Sequence, residues 1–143
     1  MGKKELSGII LIVLGIASGI LLFTAMAGKR PFRELKHEQV QSISLFAVPP
    51  GITVDVKDKK QIEEIAEMLN DVVVYREDNS GREYVGQLVR YTLFFTDGTV
   101  LEAGTYNPFI FINDKCYRTK YKPCEKLNAY GNKLIKKAMS NGD

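Results

Sequence analysis

Residues 87–105 read QLVRYTLFFTDGTVLEAGT, two β-prone runs on either side of Asp97-Gly98. An Asp-Gly pair supplies the positive backbone φ angles of a two-residue type I′ turn, so the stretch predicts a β-hairpin. A two-residue turn sets Phe95 opposite Val100 and Phe94 opposite Leu101. Apolar side chains then fall on both faces, which predicts a place near the middle of a sheet.

Working outward, residues 109–112 and 115–118 predict a second hairpin around Asn113-Asp114. Upstream, residues 42–48 are β-prone until Pro49-Pro50-Gly51 stops them, residues 53–56 alternate, and residues 72–75 make a further strand. Residues 76–83 are a polar loop containing Ser80-Gly81. Asp58, with Gln61 three positions later, has the form of a capping box opening a helix. Ile62, Ile65, Ala66 and Leu69 repeat at helical spacing, and Glu63, Glu64 and Glu67 lie off that face, as on a solvated helix. A last helix runs from about Pro123 to Met139. Leu127, Gly131, Leu134, Ile135 and Ala138 make its apolar face, with Lys126, Lys133, Lys136 and Lys137 opposite.

The N-terminus is of another kind. Residues 6–28 carry no charge, and residues 9–27 (Ile9 to Ala27) are almost wholly apolar. At about 1.5 Å per residue the uncharged run 6–28 spans about 34 Å, against about 30 Å for a bilayer's hydrocarbon core. Lys3, Lys4 and Glu5 precede it, and Lys29, Arg30 and Arg33 follow it. A transmembrane anchor is the favoured reading. A cleaved signal peptide is the rival, because Ala25-Met26-Ala27 has the small-x-small form of a cleavage site. Both flanks are basic, the C-terminal one slightly more so, which read alone would put the domain inside; but Glu34 and Glu38 interleave there, and a short basic head before an apolar run is the ordinary export signal. The expected localisation is therefore the cell membrane, single-pass, with the C-terminal domain extracytoplasmic; the alternative is secretion after cleavage following Ala27. Gly15 and Gly19 form a small-xxx-small pair that would suit a helix homodimer.

The expected fold class is thus α+β: an N-terminal transmembrane helix, then one small domain with a mostly antiparallel sheet and two amphipathic helices. The expected divisions are an anchor over 1–28, a juxtamembrane linker over 29–39, the domain over 40–139 and a frayed tail over 140–143. A chain of 143 residues has room for one such domain. In outline it resembles many small bacterial envelope proteins, a likeness of layout that rests on no diagnostic motif.

Chemistry is sparse. The chain has one histidine and two cysteines, which disfavours a Cys/His zinc site. No phosphate-binding glycine loop, metalloprotease helix or nucleophile elbow occurs, so no catalytic, cofactor-binding or metal residue is assigned. His37, the one histidine, lies in the polar juxtamembrane stretch, and Asp97 is explained by its turn. Cys116 and Cys124 can close a disulfide if the domain lies outside the cell, remain buried thiols, or serve a redox role at the helix N-terminus. Residues 115–137 hold eight basic residues and one acid, Glu125. Lys126, Lys133, Lys136 and Lys137 could meet anionic lipid or a wall polymer, or simply solvate the helix. Interleaved Tyr117, Tyr121 and Tyr130 would also suit nucleic acid, which a membrane anchor disfavours.

The expected function is a non-enzymatic binding or interaction module on a membrane anchor. Its partners would be the lipid bilayer and an anionic lipid, wall polymer or envelope protein, bound by the basic segment or the 76–83 loop. The alternatives are a small membrane-tethered enzyme, and a signalling or immunity protein acting through its helix.

Overall fold

The computed structural model describes residues 2–141, except the side chains of Thr24 and Ala25. Apolar helix α1 (Lys3–Ala27) leads into β1 (Val40–Val48), β2 (Ile52–Val56), α2 (Lys59–Asn70), β3 (Val74–Glu77), β4 (Leu88–Phe95), β5 (Val100–Tyr106), β6 (Phe109–Ile112), β7 (Lys115–Thr119) and α3 (Tyr121–Ser140). Single 3₁₀ segments stand at His37–Gln39 and Asn79–Glu83. The seven strands form one sheet in the order β2-β1-β4-β5-β6-β7-β3, every neighbouring pair antiparallel. The fold is α+β, and the order of elements in the domain is the one the hydrophobic periodicity predicts.

The core lies between one face of the sheet and the two C-terminal helices. Ile43, Leu45 and Ala47 of β1 and Val89, Tyr91 and Leu93 of β4 alternate inward and are fully buried. Ile62, Ile65, Ala66 and Leu69 of α2 meet them, as do Leu127, Leu134 and Ile135 of α3. Asp58 accepts a hydrogen bond from the Gln61 amide at 2.9 Å and so caps α2.

Helix α3 crosses the sheet from one side to the other. The Lys120 amide donates to the Val73 carbonyl beside β3 at 2.9 Å. Asn128 then bonds Thr105 of β5, and Gly131 lies against Val89 and Tyr91 of β4. The last turns pack towards β1 and β2. The Tyr91 hydroxyl donates to the Leu127 carbonyl under the helix.

Three local expectations are corrected. The β4–β5 register is one residue off: Phe94 faces Val100 and Leu93 faces Leu101. The Asp97 carboxylate accepts from the Thr99 amide at 2.9 Å and hydroxyl at 2.7 Å, while Gly98 takes φ +84°. Phe95 and Thr99 therefore close a loop of three residues, 96–98, in place of the two-residue turn. A slip of one residue reverses the faces. Phe94 and Val100 consequently stand exposed, and this part of the sheet has one covered face rather than two.

Residues 29–39 are not a free linker. Lys29 bridges to Val74, Phe32 is buried, and Leu35 packs on the core. The C-terminal end also differs from expectation, since α3 continues through Ser140. The rest of the expected tail, Gly142 and Asp143, lies outside the described residues.

Gly131 is the contact that lets α3 lie flat on β4. A Cβ there would fall 2.6 Å from both Val89 Cγ1 and the Tyr91 hydroxyl. Alanine is the better helix former by about 1 kcal/mol, yet overpacking a filled core costs roughly 1–3 kcal/mol. Gly131→Ala should therefore lower the denaturant midpoint of the full-length protein. A raised midpoint would mean that α3 rides higher than this.

Candidate functional site

Two surfaces of the domain concentrate unused chemistry. The first is the sheet face turned away from α2 and α3. There the 3₁₀ segment folds over the β5–β7 end, with Gly81 pressed against Cys116 and Phe109. Asp78 anchors that segment: its carboxylate accepts from the Ser80 hydroxyl at 2.6 Å, the Ser80 amide at 3.1 Å and Arg118 Nε at 3.1 Å. The Arg118 guanidinium in turn lies 4.7 Å from the Phe109 ring centre. Hydrogen bonds from Ser80 first, then Arg118, hold the Asp78 carboxyl down at about 2.

Beside this segment opens a hollow of about 370 Å³, floored by Gly104, Leu88 and Phe111 and rimmed by Arg82, Arg90, Glu102 and Asp114. Arg82 is held in place: its Nε donates to Asn79 at 3.2 Å, its Nη2 to the Asp114 carbonyl, and it lies over Phe111. Arg90 is exposed and opposite Gly104, which leaves its guanidinium open above the floor. An adjoining hollow of about 280 Å³ runs along Tyr84, Gly86 and Tyr106. The Tyr106 hydroxyl is buried there without a hydrogen-bond partner among the described residues. Guanidinium groups over an aromatic floor suit a carboxylate or phosphate carried on an apolar body.

The second surface is where α1 meets the domain. Gly28 takes φ +73°, a conformation that side chains resist, and a Cβ there would fall 2.6 Å from Val73 Cγ1. Lys29 then exchanges two backbone hydrogen bonds with Val74, at 2.7 and 2.8 Å. Arg30 bonds the Asn70 carbonyl at 2.8 Å and pairs with Asp71 at 3.2 Å. Lys120, Lys122 and Lys126 line a hollow of about 380 Å³ with Asp71, Val73 and Pro123.

No family model matches the chain, and no curated protein or solved structure matches it significantly.

The residues singled out in the sequence are dispersed. Cys116 and Cys124 are both buried free thiols. They belong to opposite faces of the sheet: Cys116 pairs with Phe111 beneath Gly81, while Cys124 is on α3 with its thiol 3.4 Å from the Phe109 carbonyl. The bridge considered from their spacing is not made. Burial pushes both thiols upward, Cys124 to about 11, the reverse of an activated thiolate. Lys126, Lys133, Lys136 and Lys137 are all exposed on α3, but only Lys126 lies at the α1 junction. Gly15 and Gly19 are one turn apart on α1 with open space around them.

His37 sits on the surface, 3.6 Å from Glu38. Glu63 and Glu67 are exposed, whereas Glu64 accepts a hydrogen bond from Tyr130. Burial, followed by Glu64, raises that phenol. Among the described residues no three His, Cys, Asp or Glu side chains converge on a metal-sized site. Sequence reasoning reached Arg82 only as part of the 76–83 loop and missed Arg90 and Tyr106, because only the strand register brings the three to neighbouring hollows. It missed Lys29, Lys120 and Lys122 as partners of Lys126 for the same reason.

A carboxylate whose pKa is depressed on folding stabilises the native state above its unfolded value, and that contribution fades as pH falls through the folded one. For Asp78 the window runs from about 4 down to about 2. At pH 7 Asp78→Asn should have the lower denaturant midpoint, and the gap to wild type should close through that window. A gap independent of pH would show that the carboxylate's charge does not hold the segment.

Proposed function

We propose that this chain is a single-pass membrane protein whose α1 crosses the cell membrane and holds a non-enzymatic binding domain against one membrane face. The carrying observation is α1 itself. Its 21-residue span Lys3–Phe23 holds an 18-residue stretch of mean hydropathy 2.6, none of it buried by the rest of the molecule. A core helix of a soluble domain would be covered, whereas this one has its main contact with the domain on β3. Leaving so much apolar surface in water opposes solubility, and a bilayer removes it from water. The short basic head of Lys3 and Lys4 before an apolar run, the form of an export signal, supports the extracytoplasmic side, against the larger number of basic residues that follow the helix.

The surface the domain offers is the uncovered sheet face around Arg82 and Arg90. Its chemistry suits recognition: Arg82, held in place, and Arg90, open, stand over a floor of Leu88, Gly104 and Phe111, with Glu102 and Asp114 on the same rim. An anionic envelope component with an apolar part is the class of partner it fits.

The test uses the full-length protein tagged at both ends in bacterial cells. It should remain in the membrane pellet after alkaline carbonate extraction. Protease added to spheroplasts should remove the C-terminal tag and spare the N-terminal one. Release into the carbonate supernatant, or a mature chain beginning after Ala27, would contradict the anchor. A protected C-terminal tag would place the domain inside.

A further inference from the structure

We infer that the base of the domain around the α1 exit is an anionic-lipid contact surface, built by Lys29, Lys120, Lys122 and Lys126 with Tyr75 and Tyr121. This rests on the proposal that α1 spans a membrane. If it does, the residues packed around Gly28 lie at headgroup depth, because the chain has no slack there. Gly28 touches the Val73, Val74 and Tyr75 positions of the domain, and the Lys29 amide is already bonded to Val74 at 2.7 Å. The headgroup layer is about 5–8 Å thick on each side of the hydrocarbon, so the strand beside Gly28 falls within it.

Other residues are drawn to the same level. The Lys120 amide donates to the Val73 carbonyl at 2.9 Å, which sets the first turn of α3 beside the α1 exit. Lys122 and Lys126 share the hollow over Val73. These lysines and Lys29 are exposed and form no ion pair among the described residues. The acids nearby are Asp71, engaged by Arg30 at 3.2 Å, and Glu125, exposed in the first turns of α3. Cations therefore exceed acids at the junction, as an anionic leaflet requires.

Tyr75 is 43% exposed and Tyr121 56%. An exposed tyrosine at a membrane interface keeps its ring in the acyl boundary and its hydroxyl in water. Lys133, Lys136 and Lys137 do not belong to this surface. Helix α3 crosses from β3 towards β2, and Lys137 lies about 16 Å further along it than Lys126.

The chain contains no tryptophan, so Tyr121→Trp provides a single emitter. The full-length variant is reconstituted into brominated phosphatidylcholine vesicles, with or without phosphatidylglycerol. Emission should be quenched in both, and more strongly and with a further blue shift when phosphatidylglycerol is present. Lys120→Gln, Lys122→Gln and Lys126→Gln combined should abolish that gain, as should high salt, since each surface charge contributes about fivefold to partitioning. Met139→Trp, at the far end of α3, should stay unquenched.

Phe23→Trp reports α1 separately. If it is quenched while Tyr121→Trp is not, the lipid-contact surface is wrong and the anchor stands. If neither is quenched, the anchor itself fails, and the inference with it. Equal quenching of Tyr121→Trp with and without phosphatidylglycerol, unchanged by the glutamine variants, would overturn the role of charge.

Discussion

The outer edge of β3 is covered at its first residue, Val74, by a single residue. A sheet edge leaves its N–H and C=O groups open to pairing with any strand that approaches. Here Lys29 covers that edge with two hydrogen bonds to Val74, one residue after the positive-φ Gly28 that ends α1. The same pair therefore shields the edge and joins the apolar helix to the domain without a hinge. Arg30 repeats the tie one residue on, at the C-terminal end of α2. What the domain presents near the helix, and what it keeps away from it, follows from this junction.

With β3 at the helix side of the sheet, α3 must start there, because Lys120 is bonded to Val73. It then crosses the strands in order, held by Asn128 on Thr105 and Gly131 on Tyr91. The lysines of α3 are thereby sorted by position: the first turns lie at the junction, the last turns over β1 and β2. The opposite sheet face is left to the 3₁₀ segment, which covers the β5–β7 end. Between that cover and the exposed strands Arg82 and Arg90 frame a hollow.

Much of the fold was legible along the chain. Strands and helices follow from periodicity, and Asp58 marks the start of α2, whereas α3 begins at Tyr121, two residues before Pro123. The turn at Asp97-Gly98 was legible as a hairpin but not in register. The Asp97 carboxylate bonding Thr99 selects a longer loop, and nothing in the dipeptide reveals that choice. The role of residues 29–39 was illegible because Phe32 and Leu35 stand alone among polar neighbours and are buried only by distant elements. The sites suffered most. Lys126 was singled out with three lysines that share its helix face but not its neighbourhood. The separation of Cys116 from Cys124 is a matter of strand parity, which depends on the β6–β7 pairing.

The most direct test of the rigid junction is amide hydrogen exchange, residue by residue, in the full-length protein in a lipid nanodisc. The Lys29 and Val74 amides, each bonded across the junction, should exchange as slowly as those of the neighbouring β3–β7 ladder. Exchange of Lys29 at the rate of an open chain, with the ladder still protected, would mean that the helix and domain are joined by a flexible tether.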